Sequence, residues 1–69
     1  MQIDITKPEG NTLVALGTAC SLLRATGYKQ DYIAALRAAV LHANSAQEAR
    51  AAITKATGGA ITFFKPEED

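Results

Sequence analysis

The sequence has few of the residues that cross-link a small protein or carry out catalysis. Its 69 residues include one cysteine, Cys20, and one histidine, His42. A single cysteine excludes an internal disulfide, and a tetrahedral zinc site needs four sulfur or nitrogen ligands. Because a chain this short is near the lower limit for a stable core, we expect one domain, residues 1–69, that is stabilised by oligomerisation.

An excess of charge of one sign is also missing. Seven Lys and Arg balance seven Asp and Glu, so the formal net charge is zero. This balance argues against a DNA mimic and against a strongly basic nucleic-acid binder. The last residues, 66–69, contain three of the acidic side chains, and we expect them to form a frayed tail.

Long hydrophobic runs are absent. No uninterrupted apolar run exceeds four residues, whereas a membrane-spanning helix needs about 20. The N-terminal residues have no basic segment leading into an apolar stretch, and Asp4 interrupts the apolar residues there. We therefore expect a cytoplasmic protein with a reduced Cys20 and no membrane partner.

The patterns that are present indicate an α+β fold. Residues 2–6 alternate between polar and apolar side chains, as half-buried strands do, and residues 60–64 form a second, mainly apolar strand pattern. Between them, apolar residues at helical spacing predict three helices, over residues 12–26, 30–43 and 46–57. The predicted order is β-α-α-α-β, with an alanine-rich three-helix core and a two-stranded sheet formed by the N- and C-terminal strands. The direction of strand pairing stays open.

Local signals mark where these helices begin and what they bury. Asn11 is the predicted N-cap of the first helix, and Ser45 with Glu48 fits the capping box of the third. In the first helix we expect Leu13 to belong to the buried stripe. Gly17 is expected to allow close approach by another helix or strand.

Groups with catalytic chemistry occur singly. Cys20 lies in the apolar stripe of the first helix, where a structural thiol is the expected role. His42 lies near the end of the second helix, where its charged form interacts favourably with the helix dipole. Since no glycine-rich phosphate motif is present either, we expect no enzyme, no catalytic residue, no metal and no cofactor.

Two sets of residues are candidates for binding. The first is a protein-partner surface made of Arg24, Tyr28, Lys29, Tyr32 and Arg37. Its two tyrosines, four residues apart, fit a contact patch or packing at the core edge equally well. The second is an anion site at the start of the first helix, made of Lys7, Gly10, Asn11 and Thr12. Simple capping by Asn11 is the alternative for this second set.

A DNA-binding regulator is the alternative function. Helices 12–26 and 30–43 are joined at Gly27, as in a helix-turn-helix motif. The second helix would present Asp31, which repels phosphate, together with Ala34 and Ala35, which offer no hydrogen bonds to base edges. Nucleic acid is thus a possible but not the favoured partner.

The order of these segments resembles a group of small proteins encoded by bacteriophages and prophages. The resemblance lies in residues 3–6, residues 8–11, Gly17 and the closing strand at residues 61–64. It implies an accessory protein that binds and inhibits a host macromolecule, as anti-CRISPR inhibitors of host defence do. A host protein or protein complex is then the expected partner, in the bacterial cytoplasm.

The predicted sheet leads to a test of oligomerisation. A two-stranded sheet has open edges, and Phe64 on its outer face would be an exposed aromatic next to one of them. We therefore expect a homodimer with Phe64 and Thr62 in its interface. Sedimentation that shows only monomer at high micromolar concentration would refute this expectation.

Overall fold

The computed structural model describes residues 1–66 and has the expected β-α-α-α-β order. Its elements are strand β1 (Gln2–Asp4), a 3-10 helix (Pro8–Gly10), helices α1 (Thr12–Ala25), α2 (Gln30–Leu41) and α3 (Ala46–Ala56), and strand β2 (Thr62–Phe64). The predicted α+β class, with its two-stranded sheet from the first and last strands, is confirmed. Most of the predicted tail, residues 67–69, lies outside the described residues.

The two strands pair in parallel, a direction that the sequence left open. Ile3 lies beside Phe63 in the register. Parallel strands need a long crossover connection, and the three helices provide it. β1 is shorter than predicted, because the Asp4 carboxylate accepts hydrogen bonds from the amide of Thr6 at 2.8 Å and from its hydroxyl at 2.6 Å, and so turns the chain.

The core is built from small and medium-sized apolar side chains contributed by the helices and by both ends of the chain. Its buried residues are Ile3, Ala15, Leu16, Ala19, Cys20, Leu23, Ile33, Leu36, Val40, Ala49, Ile53 and Ile61. Alanine buries little area, so the helices approach closely but the core stays shallow. The thiol of Cys20 is buried among these residues, as its place in the apolar stripe predicts.

Two expectations for α1 are wrong. Leu13 is 61% exposed, because it lies in the first turn of α1 at the edge of a buried face that extends towards Ala15 and Ala19. Gly17 is exposed and faces open space, since a Cβ there would have no neighbour within 4 Å. The glycine therefore does not serve a close approach within the chain.

The N-termini of α1 and α3 have the predicted caps, with one change. The Asn11 side chain accepts a hydrogen bond from the Leu13 amide at 2.9 Å, and Ser45 accepts one from the Glu48 amide at 3.1 Å. The Glu48 carboxylate accepts from the amide of Asn44 at 2.7 Å, whereas a standard capping box would use the amide of Ser45. Each helix ends one or two residues before its predicted end.

The helices are also short. α1, at 14 residues, is longer than α2 and α3, and a membrane crossing takes about 20. Within residues 1–66 no helix has the length and apolar character for such a crossing.

One glycine is required by packing. Gly10 is buried where the 3-10 helix lies against the end of β1. A Cβ at this position would lie 2.5 Å from the Ile5 Cα and 2.6 Å from the Asp4 carbonyl oxygen. Both neighbours are backbone atoms, so the 3-10 helix would have to move away from β1.

We expect Gly10→Ala to lower the free energy of unfolding by about 1–3 kcal/mol, the usual cost of overpacking. Gly17→Ala is the matched control. It should raise the free energy of unfolding by about 0.5–1 kcal/mol, since alanine is the better helix former and the space is open. Urea unfolding of both variants measures the two changes, and equal effects would contradict the packing assigned to Gly10.

Candidate protein-binding surface

The connection between α1 and α2 presents two tyrosines side by side. Gly27 adopts a left-handed conformation, with φ of 88°, and ends α1. The chain then continues through Tyr28, whose amide donates to the Leu23 carbonyl at 2.9 Å. The rings of Tyr28 and Tyr32 have centroids 4.9 Å apart and are tilted by 32°, a separation typical of interacting aromatic pairs.

Tyr32 is also held in place by its hydroxyl group. Its hydroxyl donates a 2.6 Å hydrogen bond to the carbonyl of Ala56, the last residue of α3. Carbonyls in the last turn of a helix have no partner within the helix, so the tyrosine satisfies one of them and ties the start of α2 to the end of α3. Tyr32 is still 41% exposed as a residue, and Tyr28 is 47% exposed. Tyr32 therefore packs at the core edge and also belongs to the surface.

A groove begins at Tyr32 and runs between α2 and α3. It has a volume of about 460 Å³ and is mostly apolar. The lining residues are Tyr32, Ala35, Leu36, Ala39, Ala52, Lys55 and Ala56. Four of these are alanines, whose short side chains leave space between the two helices, and Lys55 is the charged member of the set.

The predicted cations occupy different positions around the tyrosines. Arg24, in the last turn of α1, and Lys29, at the N-cap of α2, are exposed and lie close to Tyr28 along the chain. Arg37 follows Tyr32 by five residues and is therefore rotated by about 140° around α2. Its position lies across the buried face of α2 from the groove. We use the name tyrosine patch for Arg24, Tyr28, Lys29 and Tyr32.

Most backbone amides at the predicted anion site donate hydrogen bonds to other groups of the chain. The Gly10 amide donates to the Lys7 carbonyl at 2.9 Å, and the Asn11 amide donates to the Pro8 carbonyl at 3.1 Å. The Leu13 amide is bonded to the Asn11 side chain, and Thr12 is half-buried. This geometry favours the capping role of Asn11 over anion binding.

A second groove was not predicted from the sequence. It lies between α3 and β2 and has a volume of about 510 Å³. Its lining residues are Ile5, Gln47, Arg50, Ala51, Thr54, Thr62, Phe63, Phe64 and Lys65. Thr62 and Phe64, the predicted dimer-interface residues, therefore lie along it.

Arg50 is the residue in this groove that the sequence misplaced. Its helical position predicts an outward side chain, but the residue is half-buried. One terminal nitrogen, Nη2, is 3.5 Å from the Gly10 carbonyl oxygen, a long and weak hydrogen bond. The Nε–H is buried without a partner among the described residues. Only the spacing of Gln47, Arg50 and Thr54 on one face of α3 could have indicated this polar row.

Two other titratable groups lie at the ends of elements. Hydrogen bonds from the hydroxyl and the amide of Thr6 hold the pKa of Asp4 below its ordinary value of 3.8. His42 is exposed at the C-cap of α2. Within residues 1–66, no three His, Cys, Asp or Glu side chains come together as metal ligands do.

The residues of the alternative DNA-binding interpretation are exposed as well. Lys29, Gln30, Asp31 and Ala34 lie on the surface of the first turns of α2. Ala35 is also exposed, but it lines the groove against α3. The acidic Asp31 remains in the first turn of the helix that would face the phosphates.

The tyrosine anchor can be tested by a pair of hydroxyl deletions. We expect Tyr32→Phe to lower the free energy of unfolding by about 0.5–1.5 kcal/mol, since it removes the hydrogen bond to Ala56. Tyr28→Phe should change it by less than about 0.5 kcal/mol, because the Tyr28 hydroxyl has no hydrogen bond to other described residues. Thermal and urea unfolding give both values, and a reversed order would contradict the anchor.

Comparison of the chain with protein families, curated proteins and solved structures finds no match. The candidate protein-binding surface therefore rests on the geometry of its residues alone. It consists of a fixed aromatic pair, two adjacent cations, and an apolar groove that opens beside Tyr32.

Proposed function

We propose that this protein is a non-enzymatic binding protein that occludes a partner protein through the tyrosine patch and the adjoining α2–α3 groove. The observation that carries the proposal is the exposed Tyr28–Tyr32 pair, held by the Tyr32–Ala56 hydrogen bond at the mouth of an apolar groove. The proposed role of the complex is inhibition of a host macromolecule in the bacterial cytoplasm, in keeping with the resemblance to phage-encoded accessory proteins.

The composition of the patch supports protein binding. Tyrosine and arginine are enriched among the residues that dominate the free energy of protein–protein association. A tyrosine that is already held in place loses little side-chain entropy when a partner packs on it. Tyr32 meets this condition through its hydroxyl, and Tyr28 is supported by the Tyr32 ring.

The groove defines what the partner must present. Its floor of alanines and Leu36 fits an apolar side chain or the apolar ridge of a helix, as in helix-in-groove recognition. Lys55 in the groove, together with Arg24 and Lys29 of the tyrosine patch, complements an acidic flank on the partner and would speed association. We therefore propose that the partner protein presents an acidic segment and that an apolar side chain of this segment enters the groove.

The experiment is site-specific photo-crosslinking in a bacterial lysate. A benzophenone amino acid is placed at Ala35, inside the groove, and in a matched variant at Ala38, which is exposed on a different side of α2. We expect one stoichiometric protein adduct from position 35 and none from position 38. Tyr28→Ala should lower the affinity for the captured partner by about tenfold or more.

Three results would count against this function. They are the absence of any adduct from position 35, equal adducts from both positions, and capture that is insensitive to Tyr28→Ala. A binding assay with random duplex DNA tests the alternative, a DNA-binding regulator. An affinity that falls steeply with added salt would indicate a nucleic-acid partner instead.

A further inference from the structure

The α3–β2 groove runs along an open strand edge. The Thr62 amide donates to the Met1 carbonyl at 2.9 Å, and the Phe64 carbonyl accepts from the Ile5 amide at 3.0 Å. Backbone groups alternate in direction along a strand, so the amide and carbonyl of Phe63 point away from β1. Within residues 1–66 the sheet has two strands, and no third strand covers this side of β2.

The same groove holds two cations and no acidic side chain among its described lining residues. Lys65 follows β2 directly, and Arg50 approaches from α3. A buried donor of a charged group that lacks a partner costs free energy, and the Arg50 Nε–H has none among residues 1–66. A carboxylate in the groove would pair with the terminal nitrogens of the guanidinium, since charge-assisted hydrogen bonds of this kind are strong.

We propose that the α3–β2 groove binds an extended peptide segment of a partner protein that carries an acidic side chain. The segment adds to the free edge of β2 through the backbone groups of Phe63. Its carboxylate pairs with Arg50 and Lys65. This is strand addition, in which main-chain hydrogen bonds supply affinity and side-chain contacts supply specificity. The volume of about 510 Å³ falls within the range of ligand-binding clefts.

Charge complementarity distinguishes this occupant from a second copy of the chain. If β2 paired with β2 of another copy, two Arg50 and two Lys65 side chains would meet in one interface. Like charges brought together at an interface disfavour association. An acidic peptide neutralises the same groups, so the edge favours such a partner. Dimerisation through Thr62 and Phe64, which line the same groove, would compete with the peptide.

The test is an NMR titration of the whole ¹⁵N-labelled protein with the peptide acetyl-Val-Glu-Val-Asp-Val-amide. We expect the largest shifts at the amides of Phe63 and Lys65 and at the Arg50 Nε–H. A peptide with Gln and Asn in place of Glu and Asp should bind about tenfold more weakly. Slower hydrogen exchange of the Phe63 amide in the complex would show that the peptide pairs with the strand edge.

Variants separate the groove from general electrostatics. Arg50→Gln and Lys65→Gln should each weaken peptide binding by about tenfold, whereas Arg37→Gln, which removes an exposed cation outside both grooves, should leave it unchanged. Lys65 is exposed, so its variant retains the test even if Arg50→Gln fails to fold. Tyr28→Ala should not alter peptide affinity, so this site and the proposed function can fail independently.

The proposal is overturned by any of three results. The first is no shift at Phe63 and Lys65 at millimolar peptide, and the second is equal affinity for the neutral peptide. The third is a peptide-free dimer whose interface already protects the Phe63 amide from exchange, because a second copy would then be the occupant of the edge.

Discussion

Parallel pairing of the first and last strands is the constraint on which the rest of this fold depends. Gln2 pairs with Thr62 and Asp4 with Phe64, so nearly the whole chain between them is one crossover connection. Closing a loop of this length costs conformational entropy. Burial of Ile3 and Ile61 in the same core as the helices offsets that cost. The helices therefore pack where the joined strands require, and α3 comes to lie next to β2.

Short side chains then determine what the surface looks like. Alanines at the helix contacts allow close approach, but they fill little volume. Two shallow grooves remain, one on each side of α3. The first is apolar and opens beside the tyrosine patch, while the second combines two cations with an open strand edge. One helix thus separates two surfaces of different chemistry, and we propose a separate binding role for each.

Features that depend on residues close in sequence were predicted correctly, whereas several features that depend on distant residues were not. The caps at Asn11 and Ser45 were predicted because each depends on an amide two or three residues away. Leu13 and Gly17 were misplaced, because which face of α1 is buried depends on where the other elements pack. Arg50 was misplaced for the same reason, since its burial comes from the 3-10 helix and β2, which are remote in sequence.

The same distinction between local and distant interactions applies to the candidate surface. The sequence alone determined the α+β class, the element order and the presence of two tyrosines four residues apart, because all three are properties of local periodicity and spacing. Only the tertiary structure decided the parallel pairing, the Tyr32–Ala56 hydrogen bond and the cationic edge around Arg50. Each of these depends on contacts between residues distant along the chain, and such contacts leave no periodic signal in a single sequence.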